Sequence, residues 1–317
     1  MAACRMKETI NDHQPVLLAE TLENLAIQPE GIYVDATFGR GGHARAILSQ
    51  LGAQGRLLAL DKDPDAVAYA KTHFDHDKRF TIHHGSFAEL ETVLRQLQWY
   101  GKVQGILFDL GVSSPQLDEA ERGFSFMRSG QLDMRMDNSR GVDAAAWIAS
   151  VTEKELADVL WEQGEERFSR RIAKAIVMAR QEKPITTTDQ LAKIISGAIP
   201  AWEKGKHPAT RSFQAIRIAV NNELEDLKQG LAQSVGALQV KGRLLVISFH
   251  SLEDRIVKQF MRGPSQAELV PAKLPVKFIH FQPEFKQLGR AIKPSLQEMS
   301  RNPRARSAIL RVGEKLV

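Results

Sequence analysis

Cysteine is nearly absent from this 317-residue chain, with Cys4 the only one. That excludes a disulfide framework and any zinc or iron–sulfur site built on several thiolates. Long apolar runs are missing too. No stretch approaches the ~20 residues that a membrane-spanning helix needs, and the first thirty residues carry no signal-peptide-like apolar segment. The cytosol is therefore the expected location. Neither sign of charge dominates: 43 Lys and Arg stand against 38 Asp and Glu, a net +5. So mild a basic balance is compatible with nucleic acid without requiring it. There is no internal repeat, which excludes a solenoid. What the chain does have is 43% hydrophobic residues over a length suited to one large domain with an insertion, or to two domains.

Strand-like and helix-like segments alternate through the first 110 residues. Ile32–Phe38, Arg56–Asp61, Arg79–His84 and Val103–Leu110 read as buried strands. Helices are expected over Pro15–Leu25, Ala44–Leu51, from Asp63-Pro64 to Phe74, and from Gly85-Ser86 to Leu97. This order implies an α/β, Rossmann-like, mostly parallel sheet with helices on both faces. The alternation then stops. Asp118–Gly141 has no clear period and reads as a long loop. Helical pieces follow near 153–163, 166–182 and 188–199, then a Lys/Gly/Pro-rich loop, Pro200–Pro208. The expected organisation is a core of residues 1–117 and 209–317, interrupted by a helical insertion at 118–208. Phe213, Ile216, Val220, Leu224, Leu227 and Leu231 then predict one long helix over Thr210–Ala237. A fifth strand at Gly242–His250 comes next, then a helix with Ser251 as N-cap candidate. Lys277–Phe281 is a possible short strand, and Ser307–Val312 an antiparallel edge strand.

The chain is organised around Val34-Asp35-Ala36-Thr37-Phe38-Gly39-Arg40-Gly41-Gly42-His43. Strand, glycine turn and helix make a nucleotide site at the first crossover of a doubly wound sheet. Gly39 to Ala44 also satisfies the dinucleotide pattern, with Asp61 20 positions after Gly41. A nicotinamide dehydrogenase therefore competes, and a glycine turn that serves only packing is a third reading. Asp35 shifts the balance, because an acid beside the glycines repels a pyrophosphate and suits a cation. S-adenosyl-L-methionine is such a ligand. Asp61 suits its ribose hydroxyls, and Asp109 ends the fourth strand on the same sheet edge. The proton-relay set that a dehydrogenase needs beside nicotinamide is not evident.

Asp109-Leu110-Gly111-Val112-Ser113-Ser114-Pro115-Gln116-Leu117 follows that strand. Amine-directed methyltransferases of nucleic acids place here an Asp, Asn or Ser, then Pro-Pro, then an aromatic. Groups in that motif accept hydrogen bonds from the amine and free its delocalised lone pair for attack. Ser114-Pro115-Gln116-Leu117 matches only in part, lacking the second proline and the aromatic. Methylation at pyrimidine C5 usually needs a cysteine nucleophile, and Cys4 stands alone near the N-terminus. A nitrogen or oxygen acceptor is favoured.

Taken together, several stretches are far more specific. They include Thr37–His43, Phe108–Asp118, Arg122–Phe126, Leu132–Met136, Gly164–Arg167, His207–Ala215, Ser248–Arg255 and Asn302–Ser307. Almost end to end, the chain resembles the bacterial ribosomal RNA small subunit methyltransferase H family, also called MraW. The resemblance implies a class I S-adenosyl-L-methionine-dependent methyltransferase core with a helical substrate-recognition insertion. It implies methyl transfer to the exocyclic N4 of a cytidine in the decoding region of 16S rRNA, on the small ribosomal subunit. Implied cofactor contacts are Gly41, Gly42, His43, Asp61, Phe87, Asp109 and Gln116. Asp109 with Ser113 or Ser114 is expected to hold the amine. Trp147 is expected to receive the target base, with Phe126 and Arg211 as further RNA contacts. His250 is read either as a proton acceptor or as a hydrogen-bonded structural histidine. No residue pattern assigns a metal, and the oligomeric state is not fixed. A non-catalytic ribosome assembly factor on the same scaffold is the non-enzymatic alternative.

Overall fold

The computed structural model describes residues 15–200, 205, 207–263 and 284–317. Cys4 and the expected strand Lys277–Phe281 lie outside them. The apolar runs form a seven-stranded sheet ordered β3-β2-β1-β4-β5-β7-β6. Its strands are β1 (Ile32–Asp35), β2 (Arg56–Asp61), β3 (Phe80–His84), β4 (Val103–Asp109), β5 (Leu238–Ser248), β6 (Phe285–Gln287) and β7 (Ile309–Lys315). The first five are mutually parallel. β7 pairs antiparallel with β5, and β6 antiparallel with β7.

Helices α1 (Leu18–Leu25), α2 (Gly42–Gln50), α3 (Pro64–Phe74) and α4 (Leu90–Gln96) alternate with the first four strands. After β4 come α5 (Ser114–Asp118), α6 (Ala144–Ser150), α7 (Glu153–Glu162), α8 (Ser169–Glu182), α9 (Thr188–Ala198), α10 (Thr210–Asn221) and α11 (Glu223–Ala237). α12 (Ser251–Arg262) follows β5, and α13 (Leu296–Arg301) precedes β7. Among the described residues, no helix is long and apolar enough to cross a membrane.

Side-chain alternation along the strands splits the sheet core in two. Leu57 and Ala59 of β2 face one cluster with Tyr33, Ile47 and Leu245. Leu58 and Leu60 face the other, with Ile106, Phe108, Leu227 and Leu231. A third cluster is built mainly from helices, with Leu132 from the preceding loop joining Ile148, Leu160, Ile176, Ile195, Phe213 and Ile216.

Several expected boundaries move. β1 ends at Asp35 rather than Phe38, because the chain leaves the sheet for the glycine turn. β5 begins at Leu238, and the last strand starts at Ile309. Within the expected loop 118–141 the chain forms a 3-10 turn at Ala120–Arg122, and α6 precedes the expected helices of the insertion. The single helix expected over Thr210–Ala237 is two. Asn222 takes a left-handed conformation, φ 55°, between α10 and α11. The apolar stripe runs through the break because its halves serve different cores. Phe213 and Ile216 pack with the helical cluster, and Leu227 and Leu231 against the sheet. α12 is capped by His250, not Ser251.

Candidate functional site

Strand order reverses between β1 and β4, and ligands of open α/β sheets bind outside the carboxyl ends of the strands at such a point. A cavity of about 240 Å³ opens there. The loop after β1 stays tied to the sheet, since the Ala36 N–H donates to Leu107 O at 2.8 Å and the Phe38 N–H to Leu60 O at 3.0 Å. Gly41 then takes φ 71°. A Cβ there would lie 2.6–2.7 Å from ring carbons of Phe74 and Phe38. Only glycine meets both conditions.

The acids at the strand ends are held by backbone amides. Asp61 accepts from Gly39 N–H at 2.7 Å and from Asp63 N–H at 2.8 Å. Burial raises its pKa to about 6 despite those bonds. Asp35 is 1% exposed, and burial pushes its pKa to about 7, with His43 opposing. Asp35 does not line the cavity. His43 does line it, with Nε2 3.5 Å from Asp109 Oδ2. Burial disfavours the charged imidazole, but Asp109 and Asp35 outweigh it and raise the His43 pKa. Both His43 ring nitrogens, Asp35 Oδ2 and Asp109 Oδ1 are buried without a hydrogen-bond partner. Buried polar atoms are rarely left so, and this set points to a ligand with cationic and hydrogen-bonding groups. The glycine amides are already engaged: Gly39 N–H by Asp61, and Gly41 N–H by Phe38 O at 2.8 Å. A pyrophosphate would need such donors, which argues against the dinucleotide alternative.

The opposite wall is a chain of polar contacts from the cofactor loops into the insertion. Gln116 Oε1 accepts from Ser113 N–H at 2.9 Å, and its Nε2 donates to Asp63 Oδ2 at 2.8 Å. The same oxygen accepts from Arg122 Nη1 at 2.9 Å, and Arg122 Nη2 donates to Met136 O at 2.9 Å. Met136 N–H donates to Asn221 Oδ1 at 2.7 Å. Lys62 donates to Asn221 O at 2.9 Å and pairs with Asp226 at 2.6 Å. Phe249, Glu253, Asn302 and Arg304 also line the cavity. Burial opposes the charge on Glu253, but His250 and Arg217 hold its pKa low.

Of the residues singled out in the sequence, Gly42, His43, Asp61, Phe87, Asp109, Ser113, Ser114 and Gln116 line this one cavity. Gly41 shapes the turn behind it. Phe87 meets Phe108 edge-on, with ring centroids 5.3 Å apart. Trp147 lies elsewhere, in a second cavity of about 680 Å³ with Val151, Val159 and Ile218. Phe126 stacks on His207 at 4.5 Å and meets Phe213 at 4.8 Å. Arg211 belongs to the first turn of α10 and helps hold the Glu165 carboxyl ionised. Neither Phe126 nor Arg211 lines the cofactor cavity. His250 takes the structural role, its Nδ1 accepting from Glu253 N–H at 3.4 Å. Met136, Glu253, Asn302 and Arg304 were not assigned to the site from sequence. Their one signal was membership of the family-resembling stretches Leu132–Met136, Ser248–Arg255 and Asn302–Ser307.

Comparisons with known proteins agree along the whole chain. A model of the MraW methylase family matches residues 10–316. A protein of Pseudoalteromonas atlantica named ribosomal RNA small subunit methyltransferase H is 58% identical over 306 residues, covering 96% of this chain and 98% of that protein. One of the same name in Legionella pneumophila is 58% identical over 304 residues, covering 96% and 99%. Among solved structures, an rRNA methylase from Streptococcus thermophilus superposes with a TM-score of 0.43 at 12% identity, covering 94% of this chain and 95% of that one.

Proposed function

The chain belongs to the MraW methylase family, and from that premise we propose that it methylates the exocyclic N4 amine of a cytidine in the decoding region of 16S rRNA, on the small ribosomal subunit. The methyl donor is S-adenosyl-L-methionine, which when bound supplies an electrophilic sulfonium methyl group. The observation that carries this reading is the set of unpartnered buried atoms on Asp109, His43 and Asp35 beside the glycine turn. Of these, Asp109 lines the cavity and, with Asp35, gives it the negative charge that suits an ammonium group.

The chain's own residues divide the work. Asp61, fixed by two amides, accepts from ribose hydroxyls. Phe87 offers an apolar face for adenine. Gln116 holds the loop after β4 against Asp63. Asp109, with the oxygens of Ser113 or Ser114, accepts hydrogens of the target amine. That localises the nitrogen lone pair and gives the departing proton an acceptor. The helical insertion at 118–208 serves substrate recognition. Trp147, expected to receive the target base, lines the second cavity rather than the one that holds Asp109, so its indole face can serve only an RNA base other than the one methylated. Phe126 and Arg211 contribute to the same RNA-facing part of the molecule.

The test is methyl transfer from labelled S-adenosyl-L-methionine to three acceptors: small subunits lacking the modification, naked 16S rRNA, and duplex DNA. The expected result is label recovered as N4-methylcytidine from the subunit alone. Label on DNA overturns the substrate. No label on any acceptor, with S-adenosyl-L-methionine still bound, favours an assembly factor.

A further inference from the structure

We propose that the exposed face of α8 is a docking surface for the phosphate backbone of the substrate rRNA, a reading that rests on the function proposed above. Between residues 167 and 181 the chain has five cations, Arg167, Arg170, Arg171, Lys174 and Arg180, and no Asp or Glu. Arg180 is used internally, donating to the carbonyls of Ile148 and Val151. The other four are exposed. Arg171, Lys174 and Met178 recur at spacings of three and four, so they share a face, with Arg170 beside them. The opposite side of the helix buries Ile172, Ala173 and Ile176 in the helical cluster. That packing fixes which way the cations point.

These cations are not spent within the protein. Among the described residues, Arg170, Arg171 and Lys174 have no hydrogen-bond or ion-pair partner. Some exposed cations elsewhere do find one, as Arg95 does with Glu91 and Arg304 with Asp118; what sets α8 apart is that its unpaired cations share one face with no acid among them. Arg170 and Arg171 also occupy the first turn of the helix, which has no acid and no side-chain cap. The positive end of the helix dipole repels cations there. A local arrangement this unfavourable is offset when a polyanion lies across it.

The location connects this face to the cofactor cavity. Glu165, just before α8, accepts from Ser251 Oγ at 2.8 Å and from Arg255 at 2.9 Å. Ser251 opens α12, whose neighbours Phe249 and Glu253 line the cavity. The cationic stripe therefore starts next to the junction of insertion and core. Cations one turn apart, roughly 5–6 Å, suit a run of successive phosphates.

The experiment compares the full chain with the double variant Arg171→Gln/Lys174→Gln, using small subunits as acceptor over a range of salt. A second double variant, Lys71→Gln/Lys78→Gln, removes the same charge from exposed positions of the core. The α8 variant is expected to raise KM about tenfold with kcat unchanged. It should lower the slope of log(kcat/KM) against log[salt] by about 1.4, with the melting temperature and S-adenosylhomocysteine binding as in the wild type. The core variant should match the wild type. Equal salt slopes in all three proteins overturn the inference, as does a core variant as impaired as the α8 one. A wild-type chain that labels no subunit removes the premise, and the inference with it. A photo-crosslinker on Met178→Cys, in a Cys4→Ser background, identifies the partner. Crosslinks to rRNA are expected, and crosslinks to ribosomal protein alone overturn the assignment.

Discussion

The cofactor cavity and the outer face of α8 use charge in opposite ways. At the cavity, Asp61 in its lining and the buried Asp35 beside it are fixed by backbone amides, and desolvation raises their pKa values to about 6 and 7. On α8 the cations are solvated and individually weak. A small cationic ligand has few contacts, so each must be pre-positioned where the dielectric is low. A polyanion has many contacts, so number substitutes for precision and salt screens all of them within ~10 Å. The two regions should therefore fail differently when mutated.

The largest effect is expected where they are joined. Arg122 is 7% exposed and Asp63 4%. Arg122 ties Asp63 of the core to the carbonyls of Arg135 and Met136. Arg122→Met keeps the volume but leaves a buried carboxylate short of its partner. Losing one member of a buried pair costs about 3–5 kcal/mol. Urea unfolding should show that loss. A loss below about 1 kcal/mol would mean that core and insertion are joined mainly by apolar contact.

Next is Asp109→Asn, which keeps the side chain's shape and removes the carboxylate facing His43. Turnover should fall about 10²–10³-fold, and low salt should not restore it. Recovery at low salt would break the distinction between the cavity and α8.

A third effect is a pH dependence of about 2 kcal/mol, smaller than the full shift implies because the buried site relaxes. The folded pKa values of Asp35 and Asp61 lie above the ordinary 3.8. The native state thus binds more protons than the unfolded chain between about pH 4 and 7. The stability these groups contribute falls as pH rises through that window. His43, also raised, acts in the same direction above its ordinary value. A bound cation reverses the preference by favouring the ionised carboxylates. The ligand-free melting temperature should decline from pH 5 to 8, and the stabilisation by S-adenosyl-L-methionine should grow. Asp35→Asn should flatten both trends. Profiles unchanged by this substitution would remove Asp35 as a source of the cavity's negative charge.

The core was far more legible in the sequence than the insertion. Strand ends in open α/β sheets converge by topology, so Asp61 and Asp109 could be placed on one edge from the order of elements alone. The role of Asp35 was only half visible. The sequence shows an acid before the glycines, but not that His43 lines the cavity while Asp35 does not. Trp147 was chosen by residue type. Nothing local reveals that it faces a cavity with Val151 and Ile218 rather than Asp109. Asn302 and Arg304, far along the chain, line the cavity, a contact that no periodicity encodes.

The smallest effect tests the seam at Asn222. Periodicity over Thr210–Ala237 is continuous, yet φ 55° at Asn222 divides it between two cores. Asn tolerates that conformation better than other residues with a Cβ, and its Nδ2 donates to Asp226 Oδ1 at 3.1 Å. Asn222→Ala should destabilise by about 1 kcal/mol, through left-handed strain and the lost bond. Asn222→Gly, which loses the bond but relieves the strain, should stay within about 0.5 kcal/mol of the wild type by urea titration. If Ala matched or exceeded Gly, helix propensity would be outweighing the strain at the break. The division of one apolar stripe between the sheet and the helical cluster would then rest on packing alone.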